Sequence, residues 1–106
     1  VCGTRGDCGA CVGLGCAASL VTGATFKSDR ERSLALEGTA RALLHVARLG
    51  GPRCCKQSVY ATLQTAGEFL GSGLGMALVV PEVIHCAFAK KNEECKKELC
   101  PYFQDE

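Results

Sequence analysis

Three segments of the chain alternate apolar and polar residues with the period of an α-helix. The first segment runs from Cys8 to about Val21, and Asp7 is its expected N-cap. It is built mostly of glycine, alanine and apolar residues, a composition that suits a helix packed closely against its neighbours. Gly23 follows it and provides a residue that readily ends a helix.

The second helix is predicted from Asp29 to about Leu49, with Ser28 as its cap. The break at Gly50-Gly51-Pro52 ends it. His45 falls on its charged side, where we expect it to be solvated. Residues spaced by three or four positions share a helix face, which predicts a buried stripe. This stripe consists of Leu36, Ala40, Leu43 and Ala47.

The third helix is predicted to start near Cys54 and to run to about Leu70. Cys55 falls on the same face as its apolar residues, whereas Cys54 points away from that face. The expected core positions are Val59, Leu63, Ala66 and Leu70. An apolar run follows at 77–84, interrupted by a proline, and is consistent with an edge strand or an extended segment. The charged tail from Cys86 to Cys100 predicts a short solvated helix.

These elements predict an all-α fold. With 106 residues, of which 47% are hydrophobic, the chain is expected to form a single domain over residues 1–106. The expected architecture is a small bundle of three main helices with a cysteine-rich N-terminal loop and a short C-terminal helix. The net charge of +1 argues against nucleic acid and anionic membranes as partners. The uncharged stretch 8–26 contains too many glycine, serine and threonine residues for a membrane span.

The chain contains nine cysteines, a number that requires a chemical explanation. Such a content in a short chain is typical of secreted disulfide scaffolds or of intracellular metal and redox proteins. The odd count, the adjacent pair and the long helices favour the second class and a cytoplasmic location. A disulfide-stapled secreted domain remains an alternative.

The adjacent pair Cys54-Cys55 lies between Arg53 and Lys56 at the start of a predicted helix. Helix N-termini and nearby cations stabilise anions, so this position favours thiolates. Soft thiolates are ligands for zinc and for iron–sulfur clusters. We therefore expect the pair to take part in metal binding.

Two other groups of cysteines are candidates for chemistry. Cys8 and Cys11 form a C-x-x-C motif, which suits either a dithiol or half of a metal site. Cys16 lies two turns farther along and is interpreted as a small buried hydrophobic residue. The C-terminal trio consists of Cys86, Cys95 and Cys100, and the last of these precedes a proline as in bacterial ferredoxin motifs.

Several motifs together resemble an uncharacterised cysteine-rich domain family of methanogens and other anaerobes. They are Cys2-Gly-Thr-Arg-Gly-Asp-Cys8-Gly-Ala, Thr22-Gly-Ala-Thr25, Gly50-Gly-Pro-Arg-Cys-Cys-Lys56, and a C-terminal segment in which Phe88 and Asn92 separate Cys86 from Cys95 and Cys100-Pro101. Members of that family occur with methyltransferase-like proteins, which implies a protein partner. The family usually extends farther at the N-terminus and has a basic residue where this chain has Gln57. The resemblance implies a recurring set of Cys2, Cys8, Cys54, Cys55, Cys86, Cys95 and Cys100.

The segment Cys8-Gly-Ala-Cys-Val-Gly13 is also locally similar to the C-GCAxxG-C-C family, a resemblance that implies redox chemistry. Our first choice for a four-thiolate site is Cys2, Cys8, Cys54 and Cys55, because a glycine-rich loop and two helix N-termini can converge there. We expect an iron–sulfur cluster with a redox or sulfur-chemistry role. Cys86, Cys95 and Cys100 would complete that site, form a second one, or serve as an open three-cysteine site whose iron could bind substrate or sulfur. The alternative is a structural zinc-binding interaction module.

Overall fold

The computed structural model describes residues 2–76, 80, 81, 83–93 and 95–103. Within these residues the chain forms helices and 3-10 turns and no strand. The helices are α1 (Cys2–Arg5), α2 (Gly9–Thr22), α3 (Arg30–Leu49) and α4 (Cys55–Gly73), followed by 3-10 turns at Ala89–Lys91 and Lys97–Leu99. The three long helices α2, α3 and α4 pack against one another. The predicted all-α architecture with three main helices is confirmed.

The ends of the helices differ from the prediction by a few residues. Cys8, rather than Asp7, is the N-cap of α2, and Asp29, rather than Ser28, is the N-cap of α3. The N-terminal segment, expected to be a loop, contains the single helical turn α1. Two 3-10 turns stand where one short C-terminal helix was predicted. The possible edge strand at 77–84 lies partly outside the described residues.

The core contains residues from all three long helices. Its buried members are Cys11, Leu14, Ala18, Ala42, Ala66, Phe69 and Leu70. Small residues let α2 and α3 approach closely. A Cβ atom at Gly15 would lie 2.0 Å from Thr39 Oγ1 and 2.9 Å from the carbonyl oxygen of Ala35. The close packing predicted for the small-residue helix is therefore present at Gly15.

The predicted stripe on α3 is wrong. Leu36 is 55% exposed, Ala40 and Ala47 are exposed, and only Leu43 packs against the core. The buried face of α3 contains Gly38 and Ala42, and its centre lies roughly 150° around the helix from the centre of the predicted stripe. Helices that pack closely have small side chains at their contact. A prediction based on the spacing of leucines does not identify such positions.

The predicted stripe on α4 is half right. Ala66 and Leu70 are buried, whereas Val59 is 43% exposed and Leu63 is 48% exposed. The buried face instead includes three polar residues, Gln57, Thr62 and Thr65. Each makes a hydrogen bond with another side chain, and this hydrogen bond offsets the free-energy cost of burying a polar group.

The partner of Thr65 is His45, whose Nδ1 atom lies 3.1 Å from Thr65 Oγ1. The histidine is half-buried rather than solvated as predicted. Among the described helices none is long and apolar enough to cross a membrane.

Candidate functional site

The adjacent cysteines lie at a helix N-terminus, as the sequence predicts. Cys54 is the N-cap of α4, and Cys55 is its first residue. The preceding turn uses Gly50 and Gly51, which have φ angles of 65° and 81°, a region that favours glycine. The two side chains diverge, because Cys54 is half-buried whereas Cys55 is exposed. The expectation that Cys55 faces the core is wrong.

Four cysteines from distant parts of the chain line one small pocket. They are Cys54, Cys86, Cys95 and Cys100, and all four are half-buried. The pocket has a volume of about 30 Å³. Tyr60, Phe88 and Tyr102 form part of its wall. The structure therefore brings the C-terminal trio to one member of the adjacent pair.

N–H groups donate hydrogen bonds to three of these four sulfurs. Gln57 Nε2 donates to Cys100 Sγ over 3.2 Å, and Asn92 Nδ2 donates to Cys54 Sγ over 3.5 Å. The backbone N–H of Phe88 donates to Cys86 Sγ over 3.4 Å. Donors of this kind stabilise thiolates and accompany the ligands of metal centres.

The same sulfurs affect the pKa values of two tyrosines on the pocket wall. Burial raises the pKa of Tyr60, and a hydrogen bond with Cys86 and the charges of Cys86 and Cys54 raise that pKa further. Burial and the charge of Cys100 likewise raise the pKa of Tyr102. Both phenols therefore remain protonated, and the Tyr60 hydroxyl is a further donor near Cys86.

The Lys96 side chain attaches the C-terminal segment to the helical bundle. The Lys96 ammonium donates to the carbonyl oxygens of Leu49 and Gly50 at the end of α3, where cations complement the helix dipole. Within the segment itself, the Cys86 N–H donates to the Tyr102 carbonyl over 2.7 Å and ties its two ends together.

The Tyr102 side chain completes this attachment. It is 3% exposed, and its hydroxyl donates to Gln64 Oε1 over 2.6 Å. Its ring packs edge-on against Tyr60 with a centroid distance of 5.4 Å. These contacts with α4 hold the C-terminal cysteines beside the helix N-terminus.

A second, larger cavity contains three of the four cysteines chosen from the sequence. Cys2, Cys8 and Cys54 line this cavity of about 700 Å³, together with residues of α3 and of the glycine turn. Cys55 lines neither this cavity nor the small pocket and lies instead on an open surface beside Lys56 and Lys91. Cys54 is thus shared between the two groups.

The sulfurs surround these spaces without converging on one point. Within the described part of the chain, no three cysteine, histidine, aspartate or glutamate side chains lie close enough to hold a metal ion. All nine cysteines are free thiols. Binding of an ion by the four cysteines of the small pocket would therefore require their side chains to turn toward its centre.

The remaining cysteines and His85 lie elsewhere. Cys11 is completely buried, and its sulfur lies 3.6 Å from Thr62 Oγ1. Cys16 is exposed rather than buried as predicted, because it faces away from α3 and α4. His85 is exposed next to Cys86.

Sequence reasoning missed the two amide donors, Gln57 and Asn92. Asn92 lies within the C-terminal motif between Cys86 and Cys95, and Gln57 stands where the resembled family has a basic residue. In the structure Gln57 is 5% exposed and supplies an N–H to a sulfur. A basic side chain is also an N–H donor, so the substitution preserves this capability.

The geometry defines a small helical domain whose cysteines cluster at the N-terminal ends of two helices. The sequence profile of the Family of unknown function (DUF5714) matches residues 1–103, and the chain belongs to this family. No curated protein and no solved structure matches the chain.

Proposed function

We propose that this domain is a metal–thiolate protein whose ligands are Cys54, Cys86, Cys95 and Cys100. The observation that supports it most strongly is that four cysteines from two distant segments share one small pocket. The N–H donors on three of the sulfurs add to this support, since such hydrogen bonds accompany the ligands of metal centres. The proposal retains Cys54 and the C-terminal trio from the sequence-based set.

The size of the pocket bears on the occupant. A volume of about 30 Å³ suits a single ion, and four thiolates form the closed tetrahedral site that zinc or iron takes. An iron–sulfur cluster, which the sequence favours, needs the sulfurs to move outward. We therefore favour one ion and keep the cluster as the second occupant of the same ligands.

The metal would have a structural effect and, if it is iron, a redox effect. Binding would join the C-terminal segment to the N-terminus of α4, the two parts of the chain that supply the ligands. An iron centre could also exchange single electrons. A protein partner with a methyltransferase-like fold remains part of this proposal through the resemblance to a family of anaerobes.

The test is metal analysis of protein purified without oxygen and without added metal. We expect about one zinc or iron per chain and little acid-labile sulfide. Iron with an equal amount of sulfide and a brown colour would instead identify a cluster. Protein that binds neither metal, even after reduction and reconstitution, would overturn the proposal.

Variants locate the metal. Cys95→Ser and Cys100→Ser should each abolish stoichiometric binding, whereas the exposed Cys16→Ser should retain it as a matched control. Cys2→Ser distinguishes the two groups of cysteines, because Cys2 lines only the larger cavity. Retention of the metal in Cys2→Ser supports the small pocket, and its loss would assign the metal to the larger cavity.

A further inference from the structure

Cys8 and Cys11 form a pair in the first turn of α2 that the proposed metal centre does not use. Cys8 is the N-cap, and the Val12 N–H donates to its carbonyl over 2.9 Å, which closes the turn. Cys8 is partly exposed, whereas Cys11 is completely buried behind it. A pair with one accessible and one buried thiol is suited to two successive steps of attack on sulfur.

The environments of the two thiols also differ electrostatically. Burial opposes the ionisation of Cys8, but N–H groups of Cys11 and Ala10, the Cys11 thiol and Ser58 outweigh it, so the Cys8 pKa is lowered. Burial raises the pKa of Cys11, and Cys8 raises it further, although Thr62 opposes the shift. The accessible sulfur is thus the more readily ionised one.

The larger cavity gives a small molecule access to Cys8. Its volume of about 700 Å³ lies within the range of small-ligand sites. Leu43, Val46 and Ala47 of α3 supply apolar parts of its wall, and Arg53 supplies a cation.

We infer that Cys8 and Cys11 are a thiol–disulfide exchange pair that reduces the disulfide of a small peptide-sized compound bound in the larger cavity. This activity is separate from the metal centre, which uses other cysteines. Cys8 is the attacking nucleophile, and Cys11 is the resolving thiol.

The chemistry balances in two steps. The Cys8 thiolate attacks one sulfur of the substrate disulfide, forming a mixed disulfide and releasing the other half as a thiolate. Cys11 then attacks Cys8 Sγ, the second half of the substrate departs and takes up the Cys11 proton, and a Cys8–Cys11 disulfide remains. Two electrons pass from the protein to the substrate. A dithiol reductant restores the reduced pair for another cycle.

The test uses the purified chain in its metal-loaded form, with oxidised glutathione as the probe and dithiothreitol as the reductant. Trypsin cleavage after Arg5 and Lys27 places Cys8, Cys11 and Cys16 in one peptide, 6–27, with Cys2 in another. After partial oxidation and alkylation, fragment masses should show a Cys8–Cys11 disulfide and an alkylated Cys16. A disulfide from Cys8 to Cys2 or to Cys16 as the main product would overturn the inference.

The variants separate the two roles. Cys11→Ser should accumulate one glutathione on Cys8 and lose turnover, Cys8→Ser should lose both, and Cys16→Ser should match the wild type. Circular dichroism would verify that each variant is folded, and the wild-type disulfide map does not depend on the variants. Unchanged turnover in folded Cys11→Ser would contradict the inference. Metal content should be unchanged in Cys8→Ser. Metal analysis therefore tests the metal centre, and the disulfide map and turnover test the exchange pair independently.

Discussion

Gln57 Nε2 lies 3.2 Å from Cys100 Sγ, and this hydrogen bond joins the first turn of α4 to a residue 43 positions later in the chain. Gln57 is 5% exposed, so its amide is removed from water and needs acceptors within the protein. A sulfur with thiolate character is a better acceptor than a neutral thiol. The contact therefore joins α4 to the C-terminal segment at the small pocket.

The first prediction concerns the Gln57→Leu variant. Leucine fills a similar volume but removes the N–H that stabilises a thiolate at Cys100. By analogy with other residues that support metal ligands, the metal affinity should fall by about 10- to 100-fold. Competition with a chromophoric chelator measures this affinity.

Gln57→Lys is the matched comparison, since it retains an N–H donor at that position. It should bind metal more tightly than Gln57→Leu. Equal affinities in the wild type and Gln57→Leu, both folded, would show that the hydrogen bond does not support a ligand.

The second prediction concerns the attachment of the C-terminal segment by Lys96. The Lys96→Met variant keeps the aliphatic part of the side chain but removes the ammonium that donates to Leu49 and Gly50. The free energy of unfolding should fall by about 1 kcal/mol, as measured by urea denaturation.

Lys90→Met is the control, because Lys90 is also in the C-terminal segment but is exposed. Its effect should be within about 0.5 kcal/mol of zero. A comparable loss in both variants would mean that the capping contact at the end of α3 has no special role.

The third prediction tests the close approach of α2 and α3. A Cβ atom at Gly15 would clash with Thr39 and with the backbone of Ala35, which cannot move away cheaply. Gly15→Ala should therefore lower the free energy of unfolding by about 1–3 kcal/mol.

Gly13→Ala is a matched control on the same helix. A Cβ atom there meets nothing within 4 Å in the described structure, so replacing a helical glycine should raise stability by about 0.5–1 kcal/mol. Thermal unfolding of the two variants should move in opposite directions. A stabilising Gly15→Ala would contradict the observed helix packing.

The same contrast explains what the sequence could predict about the fold. The lengths of α3 and α4 follow from apolar periodicity and from the break at 50–52, which are local properties. The rotation of α3 about its own axis does not follow from these local properties, because it depends on where its small residues meet the side chains of neighbouring helices. Gly38 faces Phe69, where a Cβ atom would lie 3.1 Å from the ring. Nothing in the sequence of α3 alone distinguishes this glycine from one on the surface.

The candidate site was predictable to a similar degree. The placement of Cys54 at a helix N-terminus follows from the preceding Gly-Gly-Pro and the helical pattern after it. Its grouping with Cys86, Cys95 and Cys100 depends on the path of an irregular segment, which has no periodicity to indicate its direction. Contacts such as Tyr102 with Gln64 determine that path.

The last prediction concerns the reactivity of Cys8 as a function of pH. Burial alone would raise the pKa of Cys8. Hydrogen bonds with the N–H groups of Cys11 and Ala10, the Cys11 thiol and Ser58 outweigh this effect, so the pKa is lower than that of an ordinary cysteine thiol. A lower pKa means that the thiolate persists to lower pH, so the midpoint of its alkylation profile should shift in the acidic direction. Cys11 should not react in the folded protein, because it is buried and its pKa is raised.

The measurement is the rate of iodoacetamide modification of each cysteine, read by mass spectrometry of peptide 6–27 across a series of pH values. A short peptide with the same sequence provides the ordinary thiol as the reference. In the folded chain, the Cys8 profile should lie at lower pH than in the peptide, and the two should coincide in urea. The N–H groups of Cys11 and Ala10, the Cys11 thiol and Ser58 cause the shift. If the profile of the folded chain coincided with that of the peptide, these groups would not stabilise the Cys8 thiolate.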